Sequence, residues 1–144
     1  MWPEAVEAIA AFLRASGIEG RLEELLPEAG PPAGERLHAH AFDTSGGRIV
    51  ALVPAARSVD GRKLGATAGS PELRAASTAD FPFVGARVFV DQSVLSAEVV
   101  WVQAGSPRHV LGLSPAQLTR VTNAQTADLL REAGTGEVDG MPRG

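Results

Sequence analysis

Apolar residues at Val6, Ile9, Ala10 and Leu13 recur at the spacing of one helical face, behind Pro3 and ahead of Gly17. They predict an amphipathic helix over residues 3–16. A short strand is expected at 22–26, followed by PEAGPPAG at 27–34, a Pro/Gly loop that cannot hold a regular ladder. Two strand patterns come next. RLHAHAF at 36–42 alternates Leu37, Ala39 and Ala41 with His38, His40 and Phe42, whereas RIVALVP at 48–54 is almost wholly apolar, as in a strand covered on both faces. Gly46 and Gly47 supply the hairpin turn between them. Asp60 as cap and Gly69 as stop bracket a short helix around 63–66. A weakly patterned strand at 73–76 leads into TADFPFVGA at 78–86, which reads as a loop.

The last third is the most regular. RVFVD at 87–91 and AEVVWVQAG at 97–105 read as strands. A Gly-Ser-Pro turn at 105–107 then opens a strand through Val110, Leu111 and Leu113. Ser114 with Gln117 three residues on, and Pro115 at the first helical position, form a capping box that starts a helix at once. NAQTADLL at 123–130 follows, and the Gly-rich polar tail GTGEVDGMPRG is expected to fray. No segment repeats. The pattern describes a mixed sheet of roughly six strands with helices mainly at both ends, an α/β or α+β fold.

Composition narrows the function classes. At 144 residues the chain is expected to be one domain with a real core, and 44% hydrophobic against 21% charged residues is a globular balance. No apolar run approaches the ~20 residues of a membrane span, and Met1-Trp2-Pro3-Glu4 lacks the basic start of a secretory signal. The absence of cysteine removes disulfides, thiolate nucleophiles and sulfur-ligated metals together, which fits a cytoplasmic protein. A net charge of −4, with arginines spaced singly, argues against a broad nucleic-acid footprint and leaves room only for a local contact. Neither a membrane nor DNA is expected as a partner.

The candidate chemistry is sparse. His38 and His40 lie two apart on one strand, so both point to one face, and His109 or Asp43 could offer a third ligand. With three histidines in all and no carboxylate at a ligand spacing, no metal is expected. There is no Gly-x-Ser-x-Gly elbow, and DTSGGR and DGRKLGATAG match no phosphate-loop pattern, so no cofactor is expected. Phe81-Pro82-Phe83 suits either a pocket rim or a loop tucked over the core, and packing favours the core. Ser106, Arg108 and His109 on the late turn face either solvent or a ligand.

Three stretches resemble the YbaK/prolyl-tRNA-synthetase-associated domain family of aminoacyl-tRNA deacylases. VEAIAAFLRASGIEGRLEELLP is similar to its opening helix and first strand. RIVALVPAARSVDGRKLGATAG is similar to its buried strand, turn and following helix. ARVFVDQSVLSAEVVWVQAGSPRHVLGLSPAQLTRVTNAQTADL is similar to its final third, in order and spacing. The resemblance covers most of residues 5–130. It implies a single-domain, barrel-like sheet over residues 1–131, with a flexible C-terminal tail at 132–144.

It also implies an activity, hydrolysis in trans of the ester that joins a wrong amino acid to the tRNA 3′ end. In the family a strand lysine faces the terminal nucleotide, and a Gly-Gly-x-x-Pro type loop offers N–H groups to the oxyanion. Alignment puts His38, the expected catalytic residue, at the lysine, with His40 beside it as an expected substrate-binding residue. The loop aligns as Ala79, Asp80, Phe81, Pro82, Phe83, Val84 and Gly85, keeping Pro82 and Gly85 but replacing the glycine pair by Ala79-Asp80. Ala79, Asp80, Phe81, Pro82 and Gly85 are therefore expected to bind substrate, together with Gly105, Ser106 and Arg108 at the pocket mouth. Two functions stay open: a deacylase acting on the aminoacyl-tRNA 3′ end, or a module of the same fold that binds an aminoacyl or nucleotide ligand or an aminoacyl-tRNA synthetase.

Overall fold

A computed structural model describes residues 2–26, 33–76 and 80–131. The 132–144 tail, most of the 27–34 loop and Ala79 lie outside the described residues. Helix α1 (Glu4–Ser16) turns Ile9 and Leu13 into the core and stops at Gly17, which adopts a left-handed φ of 70°. Strand β1 (Arg21–Glu24) is followed by the hairpin of β2 (Glu35–Thr44) and β3 (Gly47–Pro54). Helix α2 (Gly61–Ala68) is capped by the Asp60 carboxylate, which accepts from the N–H groups of Arg62 and Lys63, and ends at Gly69 as its sequence implies. Then come β4 (Arg74–Ala75), β5 (Arg87–Asp91), a 3₁₀ turn (Gln92–Ser96), β6 (Val100–Gln103) and β7 (His109–Leu113). Helix α3 (Pro115–Thr122), opened by the complete Ser114/Gln117 capping box, leads to β8 (Gln125–Ala127).

The described residues form a mixed α+β domain with three helices and an eight-stranded sheet in the order β1-β7-β6-β2-β3-β5-β8, with β4 on β2. Among the described residues the count exceeds six: β4 falls within the weakly patterned strand expected at 73–76, whereas β8 has only three residues, too few for an alternation to register. Among the described residues the strand path has two ends, β1 and β8, so the sheet does not close.

Strand β2 is the hinge of this arrangement. One edge pairs antiparallel with β3 from Leu37↔Pro54 to Thr44↔Gly47. The other edge is shared: Glu35 and Arg36 pair in parallel with Val100 and Trp101 of β6, while Phe42 and Asp43 pair with β4. Between those two pairings no described strand lies against β2. This gap in the ladder positions the site.

Two cores flank the sheet. Val50 and Leu52 of β3 point into the larger one with Ile9, Leu13, Leu111 and Leu118. Ile49, Ala51 and Val53, one residue out of phase, point into the smaller one with Phe89 and with Leu64 and Ala68 of α2. Both faces of β3 are thus covered, which explains its unbroken apolar run. Trp101 is fully buried opposite Gly112, where a Cβ would come within 2.7 Å of the indole ring, and its Nε1–H donates to the Ala33 carbonyl at 2.8 Å. Among the described residues no helix is long and apolar enough to cross a membrane.

Candidate functional site

The gap beside β2 opens into a cleft of about 160 Å³ lined by residues from both faces of the strand. Leu37 and Ala39 come from the face that looks into the larger core, and Arg36, His38 and His40 from the opposite one. Asp80 and Phe83 face them from the loop before β5, and Val102, Gln103 and Gly105 come from β6 and the turn after it. A volume of this size admits a phosphate or a small acyl group, and is below the ~300 Å³ at which pockets begin to enclose whole small molecules.

The polar lining is unevenly satisfied. His38 is exposed and His40 half-buried, with ring centroids 6.1 Å apart in an edge arrangement. Arg36 Nε and His40 Nε2 are both cut off from solvent, and neither has a hydrogen-bond partner among the described residues. His109 Nε2, outside the cleft, is in the same state; buried polar atoms without a partner are uncommon. Burial, and then the neighbouring charge of His38, lower the pKa of His40 below its ordinary 6.5.

A stability consequence follows from that direction. The unfolded chain takes up a proton on His40 at higher pH than the folded chain does, so folding loses stability as pH falls from 6.5 through the lowered value. Above 6.5 the penalty is absent. His40→Gln is expected to flatten this part of the stability–pH curve, measured by urea midpoints at several pH values. An unchanged slope would show that His40 is not its source.

The opposing loop is held by aromatic packing. Phe81 and Phe83 are buried in the larger core, 5.8 Å apart edge to face, and Phe81 also meets Phe12 at 6.4 Å. Phe83 has a left-handed φ of 64°, unusual for a bulky residue, and its N–H donates to the Asp80 carbonyl at 2.7 Å. Both expectations for Phe81-Pro82-Phe83 are met in part: the loop is tucked over the core, and Phe83 forms one wall of the cleft.

The expected catalytic residue His38 lines the cleft together with His40, Asp80 and Gly105 of the residues expected to bind substrate. Phe81 is committed to the core, Pro82 is half-buried beside it, and Gly85 is exposed with a φ of 85°. Ser106 turns to His109 instead: its hydroxyl lies 2.6 Å from Nδ1 and accepts the Arg108 N–H at 3.1 Å. Arg108 reaches Glu24 at the end of β1 at 3.4 Å. The possible third metal ligands are engaged elsewhere, His109 with Ser106 and Asp43 with Arg48 at 3.0 Å. Arg36 was not singled out from the sequence, although its place two residues before His38 puts it on the same strand face.

No family model and no curated protein matches this chain. Solved structures do match it in fold. A scaffold protein from the computational grafting of linear epitopes superposes with a TM-score of 0.80 at 20% identity, over 92% of this chain and 100% of that one. A candidate trans-editing enzyme for prolyl-tRNA synthetase superposes with a TM-score of 0.77 at 21% identity, also over 92% of this chain and 100% of that one. A candidate signal transduction protein from Marinobacter aquaeolei VT8 shares the fold at a TM-score of 0.69 and 15% identity, over 92% of this chain but 31% of that one. The mixed α+β fold is therefore the one found in the candidate trans-editing enzyme, the fold that the sequence resemblance implies.

Proposed function

We propose that the cleft beside β2 receives the aminoacylated 3′ end of a tRNA and hydrolyses its ester in trans. One observation carries this reading. His38, aligned with the strand lysine of the deacylase family, faces Asp80 and Phe83 of the aligned loop across one small cleft, in a fold shared over 92% of this chain with a candidate trans-editing enzyme. In the reaction a water oxygen bonds to the ester carbonyl carbon, the bond to the ribose oxygen breaks, and free amino acid and tRNA leave. His38 would donate a hydrogen bond to the terminal nucleotide, and loop N–H groups would face the oxyanion. The contact is local, as suits a chain of net charge −4.

A second reading is favoured by Asp80. A carboxylate in the cleft repels a developing oxyanion, which suits a module that binds an aminoacyl or nucleotide ligand, or a synthetase, without efficient turnover. A panel of mischarged tRNAs, followed for ester loss with and without the protein, separates the two. Faster loss from at least one tRNA supports hydrolysis. Uncatalysed rates on every tRNA would sink the deacylase reading, and binding without ester loss would establish the module.

A further inference from the structure

We infer that Arg57, Arg62 and Arg131 form a docking patch, outside the cleft, for the phosphate backbone of a paired RNA stem. The patch rests on the proposed tRNA reading and extends it to the part of the RNA behind the 3′ end. Arg62, in the first turn of α2, and Arg131, after β8, line one groove of about 520 Å³ together with Pro71 and Leu73. Arg57, in the turn before α2, joins them by donating to the Arg131 carbonyl at 3.2 Å. The Arg131 N–H donates to the Ser58 carbonyl at 2.9 Å, which holds the two segments side by side. All three arginines are exposed, and none has a carboxylate partner among the described residues. The nearby carboxylates are engaged elsewhere. Asp60 also lines the groove, but it accepts from the N–H groups of Arg62 and Lys63. Asp128 pairs with Lys63 at 3.1 Å, and Glu72 lines the neighbouring depression with Arg74. Guanidinium groups left free in this way suit phosphates, whose oxygens match their planar fork of donors and whose condensed counterions are released on contact.

The place of the patch relative to the cleft points to RNA. His38 and His40 lie opposite Val53 and Ala51 of β3, so they share the sheet face that packs against Leu64 and Ala68 of α2. Just past β3 the Ala55 N–H donates at 2.8 Å to the carbonyl of Arg36, a residue of the cleft wall, and Arg57 follows two residues later. The patch therefore adjoins the cleft on the α2 side of the sheet. An RNA end held in the cleft can lay the backbone behind it across these arginines. Three cations make a local contact, in keeping with a chain of net charge −4.

The test is a fluorescence-anisotropy titration of the full chain with two probes, between about 50 and about 200 mM salt. One is a non-acylated RNA hairpin with a paired stem and an unpaired 3′ end, the other that 3′ end alone. The hairpin is expected to bind more tightly, with log affinity falling against log salt at a slope of about −2 to −3, as three phosphate contacts imply. Arg62→Gln with Arg131→Gln should reduce the slope by about two and weaken hairpin binding at least about tenfold, leaving the 3′ end alone unaffected. Lysine at both positions keeps the charges and should restore most of the slope. Arg14→Gln with Arg120→Gln removes the same charge from exposed positions on α1 and α3, and should change neither slope nor affinity. All of these variants should melt near the parent temperature. In deacylation, the patch variant should raise KM about tenfold for an aminoacylated hairpin at unchanged kcat, and leave an aminoacyl ester of adenosine hydrolysed as before.

No hairpin binding at about 50 mM salt overturns the patch, as does a loss that is equal in the patch and control variants. Tighter binding of polyglutamate than of the hairpin, abolished by Arg62→Gln with Arg131→Gln, also overturns it and assigns the groove to an acidic protein. Patch-dependent hairpin binding without deacylation keeps the patch and removes the hydrolysis reading. Deacylation with a hairpin KM indifferent to the patch substitutions does the reverse.

Discussion

Asp91→Ala is expected to destabilise the protein by about 3 kcal/mol, roughly 1 kcal/mol for each of the one buried and two partly buried hydrogen bonds its carboxylate accepts. Asp91 ends β5 and is 1% exposed. One carboxylate oxygen accepts the Leu129 N–H at 2.8 Å, tying the chain after β8 to the sheet. The other accepts the N–H of Ser93 at 2.9 Å and also the Ser93 hydroxyl, which starts the 3₁₀ turn. Alanine leaves the buried Leu129 N–H without a partner, and that desolvated donor is the largest part of the cost. At roughly 2–4 °C per kcal/mol for a domain of this size, the melting temperature should drop by about 6–12 °C. Asp91→Asn keeps one acceptor oxygen and should lose about half as much. A drop of only a degree or two for the alanine variant would mean that water or a shifted backbone replaces the carboxylate.

Much of this fold is legible in the chain because its signals are local. The Ser114/Gln117 box, the Asp60 cap and the Gly17 and Gly69 stops each act within a few residues, and each is found where the sequence places it. The alternation in 36–42 and the apolar run of 48–54 both name a strand, and β3 is covered on both faces as that run implies. Where the pattern misleads, longer-range bonds are the reason. AEVVWVQAG reads as nine strand residues, yet β6 holds only Val100–Gln103. The 3₁₀ turn anchored by Asp91 closes with the Ala97 N–H on Val94, and the Ala104 N–H bonds the His109 carbonyl to begin the hairpin to β7.

The site is less legible than the fold, again for a physical reason. Periodicity assigns Leu37 and Ala39 to one side of β2 and His38 and His40 to the other, and a pocket on one face would exclude half of them. The cleft takes both sets because it sits over the break between the pairings with β6 and β4. Such a break depends on the register of three strands, and no local pattern encodes it. Arg36 needed only the alternation carried two residues back, and Phe83 lies in the stretch read as a pocket rim or core loop, whereas Gln103 enters through tertiary packing alone.

Removing the charge of Asp80 is expected to give the largest gain in deacylation under the proposed function. Attack of water on the ester places negative charge on the carbonyl oxygen, and the cleft holds the Asp80 side chain among its lining. A unit charge roughly 5 Å from an oxyanion, at an effective dielectric of about 40, costs on the order of 1–2 kcal/mol in the transition state. Asp80 is exposed, so solvent screening puts the effect of Asp80→Asn near the lower end, about a fivefold to tenfold rise in rate. Asp80→Gly also restores the glycine that the aligned loop lacks, allowing close backbone approach and a better-aimed N–H; adding His38→Lys supplies a fixed cation at the terminal nucleotide. An oxyanion donor contributes about a hundred- to a thousandfold, so the double variant should exceed the single one by about tenfold or more. Single-turnover deacylation of the tRNA that responds best in the mischarged panel reads this directly. If the unaltered chain deacylates rapidly and both changes slow it, the loop is not a weakened copy of the family pattern. His38 and Asp80 would then act as this chain's own pair, the carboxylate positioning water and the imidazole donating to the ester.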